Sequence, residues 1–260
     1  MSSSPVTRRP SIYHRVDGAG PALTLVHGVG ARLESWDEVV ARLQPRFRVI
    51  RLDLRGHGRS GRIEGACTLD DLASDVRYVW DELGVKKSHL AGFSLGGLIA
   101  QSLALSDPQR IEKLIILSAV AGRTEEERAR VVQRLKLVQT EGIGSVLGMA
   151  EERWFTPEFR AAHPERVAAR LKELRENDPR SYAAAYTVFA TGDLGDRLHA
   201  IRNPTLVATG ENDVGSNVRM ARMMHERIPG SRLQILPRLR HSVLVEASNQ
   251  VAELILDFLK

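Results

Sequence analysis

Short apolar runs alternate with amphipathic ones along most of this chain, and that alternation leaves few folds open. "ALTLVHG" (22–28), "FRVIRLD" (47–53), "SHLAGF" (88–93), "KLIILSA" (113–119), "PTLVATG" (204–210) and "RLQILP" (232–237) read as strands. Most are continuous β-branched or leucine runs rather than strict alternations, as expected of strands buried on both faces of a mainly parallel sheet. Between them "SWDEVVARL", "TLDDLASDVRYVWDEL", "LGGLIAQSLAL", "VRMARMMHERI" and "EASNQVAELILDFL" repeat apolar residues at three- and four-residue spacing, as helices do. The expectation is an α/β chain of βαβ units forming an open, doubly wound sheet.

The alternation stops between about residues 123 and 190. "RTEEERARVVQRLKLVQTEG", "IGSVLGMAEERWF", "TPEFRAAHPERVAARLKELREN" and "DPRSYAAAYTVFA" are helical in pattern, punctuated by Gly142, Gly144, Pro157, Pro164 and Pro179. A helical insert between two βα halves reads as a cap over the sheet. The expected organisation is a core in two parts, 1–122 and 191–260, with a cap at 123–190.

Ligands of an open parallel sheet bind beyond the carboxyl ends of its strands, so the residues there are the informative ones. His27, Gly28, Val29 and Gly30 follow the first apolar strand, Ser94 the third, Asp213 the fifth and His241 the sixth. Ser, Asp and His at three such ends make the set that nucleophilic acyl transfer needs. His241 can take the Ser94 proton and return it to the leaving group. Asp213 can hold the imidazole in the right tautomer. The N–H of Leu95, opening a helix, and the N–H of Val29, in a glycine-containing turn, are candidate oxyanion donors. Gly92 and Gly96 flank Ser94 where a side chain would clash with facing backbone, and Gly97 lets helix and strand approach. Asp193 and Asp196 of "TGDLGD" compete with Asp213 for the acid role but precede their strand, and are expected to cap a helix.

At these residues the chain resembles the α/β-hydrolase superfamily, from about Tyr13 to the C-terminus. "LVHGVG" resembles its oxyanion turn, "DLRGHGRS" (53–60) the loop after the next strand, "GFSLGG" the nucleophile elbow, "GENDVGSN" the acid turn and "RHSVLVEAS" the histidine loop. "ERWFTPEFR" followed by "DLGDRLHAIRNPTLVATGEND" is most similar to 3-oxoadipate enol-lactonases, which open a small anionic enol-lactone without a cofactor. The resemblance implies a cofactor-free Ser-His-Asp hydrolase of a small ester or lactone acting through an acyl-enzyme. Three positions depart from the pattern. Arg240 precedes the histidine where glycine or alanine is common, no proline follows the acid turn, and Leu95 replaces a frequent methionine. These bear on the substrate rather than on the reaction class.

In the cap, Trp154, Tyr186 and Phe189 (with Phe155 and Phe159) either line an apolar pocket or form the cap's own core. If the substrate carries a carboxylate, Arg153 or Arg160 is expected to pair with it in a bidentate fork; otherwise each reads as a solvated arginine. His27 reads as a hydrogen-bonding turn residue, and Asp53, Arg55 and His57 as ties within their own loop. The remaining histidines have no carboxylate or cysteine partners at ligand spacing, so no metal site is expected. "GAG" (18–20) lacks the acid of a dinucleotide fingerprint.

The net charge of +5 is spread over scattered arginines without interleaved aromatics, which argues against nucleic acid as a partner. No run approaches a membrane span, and "MSSSPVTRRPS" lacks an apolar signal core and reads as a short flexible tail. The single cysteine, Cys67, suits a reducing cytoplasm and precedes a helix capped by Thr68 and Asp71. The alternatives that stay open are a same-triad hydrolase of an amide or of a C–C bond beside a ketone, and a slow-turnover ligand receptor.

Overall fold

Six strands form where the apolar runs lie: β2 Ala22–Val26, β3 Arg48–Leu52, β4 Ser88–Phe93, β5 Ile111–Leu117, β6 Thr205–Gly210 and β7 Arg232–Leu236. The structure, a computed structural model, describes residues 11–260. All but one residue of the N-terminal stretch read as a tail lies outside them. A seventh strand, β1 His14–Asp17, pairs antiparallel with β3. The sheet order is β1-β3-β2-β4-β5-β6-β7, and every pair except β1–β3 is parallel.

Successive residues of a strand face opposite sides, and β2 divides accordingly. Leu23 and Leu25 join the layer under α1 (Asp37–Leu43) and α11 (Ser248–Leu259), packed with Trp36, Val251 and Ile255. Val26 joins the other layer, under α2 (Leu69–Glu82) and α3 (Leu95–Ser106). Thr24 shares that second face, where its hydroxyl accepts the Trp80 indole N–H at 2.8 Å and pairs with Ser88 Oγ at 2.9 Å. The Thr68–Asp71 capping box opens α2 as its sequence implies. The edge strand β1 is fastened by a buried arginine, Arg51 of β3, whose Nη2 meets Asp17 at 2.6 Å.

Between β5 and β6 the chain forms α4 Glu125–Glu141, α5 Leu147–Trp154, α6 Pro157–Ala162, α7 Pro164–Arg175 and α8 Pro179–Thr191, with no strand among them. Each of the last three starts on a proline, which tolerates the first turn because its missing N–H would have no helical partner there. This segment is the helical cap of the fold. No helix among the described residues is long and apolar enough to cross a membrane.

The chain leaves and re-enters the core through one knot of hydrogen bonds. Asp193 accepts from the N–H groups of Gly122 (2.7 Å), Arg123 (2.9 Å) and Gly195 (2.9 Å). The buried Arg123 donates to the carbonyls of Phe189 (2.8 Å), Ala190 (3.3 Å) and Gly192 (3.0 Å) and lies over the Phe189 ring. Asp193 is therefore not the N-cap residue of the turn that follows, although its carboxylate takes that turn's first N–H, of Gly195. The short turn Gly195–Ala200 starts at Leu194 with no side-chain cap bond, and the carboxylate instead joins the two crossings of the neck.

Burial pushes the Asp193 carboxyl up, but its three N–H donors and Arg123 outweigh that and hold it below its ordinary value. Asp193→Ala is expected to lower stability by about 3 kcal/mol in urea titrations at neutral pH. Because the folded pKa is depressed, this difference should be full above pH ~4 and shrink as pH falls further.

Candidate active site

Ser94 joins β4 to α3 with φ 56° and ψ −115°, a conformation rarely adopted by a residue bearing a side chain. The turn persists because the backbones around it touch. A Cβ on Gly92 would overlap the carbonyl oxygen of Gly96, and one on Gly96 would overlap that of Val26. One on Gly97 would press on Ala119. The Ser94 N–H continues the ladder to Leu117 O at 2.9 Å, so the turn begins without a break from the sheet.

Asp213 and His241 follow β6 and β7. His241 Nδ1 lies 2.6 Å from Asp213 Oδ2. Oδ1 of the same carboxylate accepts from the N–H groups of Gly215 (2.8 Å) and Ser216 (2.9 Å). Burial raises the Asp213 carboxyl. The adjoining imidazole and those two N–H donors outweigh this, leaving it ionised below its ordinary range. An ionised partner at Nδ1 places a proton there, which leaves the Nε2 lone pair free. The His241 ring packs against Phe93 at 5.1 Å between centroids.

Ser94 and His241 line one small cavity beneath the cap. No hydrogen bond joins them among the described residues. Such contacts are often long before a substrate binds. Arg123, Arg134, Arg153, Tyr186 and Phe189 line the same cavity from the cap. Arg134 Nε donates to the Tyr186 hydroxyl at 3.2 Å, and burial followed by the charge of Arg134 lowers the Arg153 pKa.

The turn after β2 is pinned by two buried histidines. His27 Nε2 accepts from Leu54 N (3.0 Å), so its proton sits on Nδ1, which donates to Gly28 O (2.7 Å). His57 Nε2 accepts from Gly30 N (3.0 Å) while its Nδ1 donates to Arg55 O (3.0 Å). Gly28 lies so close to Ser94 that an added Cβ would sit 3.0 Å from the serine Cβ. Asp53 ties the 53–60 loop internally by accepting from Arg59 N (2.9 Å), but it also accepts from Leu33 N (2.7 Å), and Arg55 forms a fork with Asp75 of α2, so the loop is fastened to its neighbours as well as to itself.

A family model described as the alpha/beta hydrolase fold matches residues 21–141. The 3-oxoadipate enol-lactonase 2 of Acinetobacter baylyi is 32% identical over 216 residues, which cover 83% of this chain and 80% of the relative. The chain belongs to the alpha/beta-hydrolase family. A hydrolase from Pseudomonas aeruginosa superposes with a TM-score of 0.90 at 32% identity, covering 96% of this chain and 94% of that one. The enol-lactonase from Burkholderia xenovorans gives 0.91 at 28% identity, covering 96% of each chain.

Of the cap residues singled out in the sequence of this alpha/beta hydrolase, Arg153, Tyr186 and Phe189 reach the cavity. Trp154 and Arg160 are not among its lining residues. The Trp154 indole lies under the Arg170 guanidinium at 4.7 Å, and Arg160 faces Glu151 at 3.9 Å. Arg240 turns from the cavity as well. Its Nη1 donates to the carbonyls of Glu152 and Phe155 at the end of α5, where a cation suits the helix terminus. Reading the scattered arginines as a solvated face missed Arg123 and Arg134. Arg134 sits three residues after buried Val131 and four before buried Val138, a charge on an apolar stripe, and that spacing was the available signal.

Burial, foremost, lowers His27 to about 4 and His57 to about 3, with the Arg170 charge adding to both and Asp53 opposing it at His57. Unfolded histidines protonate near pH 6.5, so each makes folding less favourable as pH drops from there toward its folded pKa. His57→Gln is expected to reduce the slope of stability against pH between 6 and 4.5 by about 1.4 kcal/mol per pH unit. Denaturant titrations across that window check it, and an unchanged slope would mean that His57 is not held neutral.

Proposed function

We propose that this hydrolase cleaves a small carboxylic ester or lactone, with Ser94 as nucleophile, His241 as base and Asp213 as the acid that orients the base. The observation carrying this reading is the Asp213–His241 hydrogen bond at 2.6 Å, whose imidazole shares a cavity with a serine at positive φ. Ser94 Oγ attacks the carbonyl while His241 Nε2 takes its proton. The oxyanion rests on the N–H groups of Val29 and Leu95, for which no protein acceptor is found among the described residues. Collapse returns the proton from His241 to the leaving alcohol and leaves an acyl-enzyme. Water, deprotonated by His241, then attacks the acyl carbon, and the proton returns to Ser94 as the acid departs. In a lactone the alcohol stays on the acyl chain, so ring opening releases no first product.

Two features support a substrate that carries a carboxylate, with 3-oxoadipate enol-lactone as one candidate. The relative from Acinetobacter baylyi is named for that reaction. In addition, the Arg153 guanidinium, at the cavity wall beside Gly215, has no hydrogen bond or ion pair among the described residues. A cation half-withdrawn from water with no carboxylate paired directly to it is costly, and a substrate carboxylate would pair with it. In this reading residues 123–190 are the cap, and they choose which carbonyl reaches Ser94.

Ser94→Ala is expected to lower kcat on a p-nitrophenyl ester by about 10⁴-fold or more and to abolish labelling by a fluorophosphonate. Full esterase activity in that variant would remove the assignment.

Arg153→Met is expected to raise KM for a carboxylate-bearing ester by about ten- to a hundredfold, while a neutral isostere is little affected. Equal losses on both substrates would assign Arg153 to packing.

A further inference from the structure

Arg170 lies on α7 with most of its side chain withdrawn from solvent, although it is far from Ser94 in sequence and does not line the cavity. Its Nη1 donates to Gly30 O at 2.9 Å, and Asn177 Nδ2, at the end of the same helix, reaches that oxygen at 3.3 Å. The guanidinium carbon lies over the Trp154 indole, 4.7 Å from its centroid, and Glu173 sits 4.0 Å away. Trp154 has a second attachment. Its carbonyl accepts from the N–H of Ser242 at 2.9 Å, the residue next to His241, and Arg240 grips the carbonyls on either side of it.

These contacts close a path between two loops that the fold leaves apart. The peptide unit joining Gly28 to Val29 is planar and trans, so its C=O and N–H point in opposite directions. The carbonyl is held by His27 Nδ1 and by Ala31 N at 3.2 Å, and the N–H of Val29 is therefore aimed away from both. The next N–H, of Gly30, is held by His57, and the Gly30 carbonyl by Arg170. Gly30 sits at φ 68°, so the turn depends on these anchors rather than on a regular ladder. Arg170, with the longer Asn177 contact beside it, is the anchor that comes from the cap.

We propose that Arg170 is a positioning residue that fixes the oxyanion turn to Trp154, and through Trp154 to the His241 loop, so that cap docking and assembly of the oxyanion site are one event. The proposal rests on the assignment of Ser94, His241 and the Val29 N–H made above. It implies that the cap contributes to turnover as well as to substrate choice. An interaction that only places an oxyanion donor acts on the transition state and leaves substrate binding largely alone.

The test compares Arg170→Gln, Arg170→Lys and Trp154→Phe in the full chain with the unsubstituted protein. Four quantities are read: kcat, KM, the affinity for an alkyl boronic acid that forms a tetrahedral serine adduct, and the affinity for the product carboxylate. Arg170→Gln is expected to lower kcat by about a hundredfold, as a small misplacement of a reacting group does, with KM nearly unchanged. Boronate affinity should fall by a similar factor, and product affinity should hold. Arg170→Lys keeps the charge but cannot both stack flat on the indole and donate in that plane; a loss of about tenfold is expected. Its effect should combine less than additively with Trp154→Phe. Unchanged kcat in Arg170→Lys overturns the proposal even where Arg170→Gln fails to fold. Equal losses of boronate and product affinity overturn it too, because they signify a collapsed cavity. Ser94→Ala in parallel separates the two layers: retained activity there removes the assignment of the site, whereas lost activity there with intact Arg170 variants removes only the strut.

Discussion

Loops at the carboxyl edge of this sheet are buried beneath a helical cap, and a buried loop must find hydrogen-bond partners without a ladder to supply them. The chain meets that constraint with side chains. His27 and His57 serve the turn after β2, Asp53 serves the loop after β3, Asp213 its own turn after β6, and Asp193 the neck of the cap. Burial holds His27 and His57 neutral, and the donors around Asp213 and Asp193 hold those two carboxylates ionised. The surroundings of Ser94 are thus ordered by polar contacts of fixed direction, while the apolar layers beneath set only the distance between sheet and helices.

The cap obeys the same constraint from its other side. Thr156 at the start of α6 donates through its N–H and hydroxyl to Glu246, at 3.0 and 2.8 Å, and so fastens the cap to the short helix Val243–Glu246. Arg240 and Ser242 hold the end of α5. The histidine loop is therefore clamped on both flanks by cap backbone. An arginine in place of the small residue common before the histidine makes sense in these terms: it reaches helix-end carbonyls that a glycine would leave to water. The sequence departure that pointed toward substrate choice belongs to the attachment of the cap.

Most of the architecture could be read from apolar patterning, since burial on both faces writes a strand as a continuous run. The strand that escaped notice, β1, reads "HRVD". It is short, polar and at the sheet edge, where one side needs no burial and the pattern fades. The tight turn at Ser94 was legible because glycine at 92 and 96 has no substitute when backbone meets backbone. The Asp213 and His241 positions followed from strand ends alone. Side chains that act across the cap were hidden, because an arginine in an amphipathic helix reads as solvated by default. Arg170 follows buried Val167 by three residues and precedes buried Leu174 by four, so its place on the inner stripe was visible in the spacing, though its partners were not.

The positive charge around Ser94 divides into two kinds of work under the proposed reading. A carboxylate carried on the substrate has the same charge before, during and after acyl transfer. Arg153 and Arg134 would therefore bind ground state and transition state alike, and such uniform binding enters KM rather than kcat. The negative charge on the carbonyl oxygen exists only as the bond to Ser94 forms, so donors fixed in advance of it lower the barrier itself. Arg170 stands between these cases. Its full charge is turned toward a backbone carbonyl, and what it supplies at the reacting centre is direction rather than field. Removing a charge from the cavity wall should change which substrates are accepted, and removing the one that holds the turn should change how fast any of them reacts.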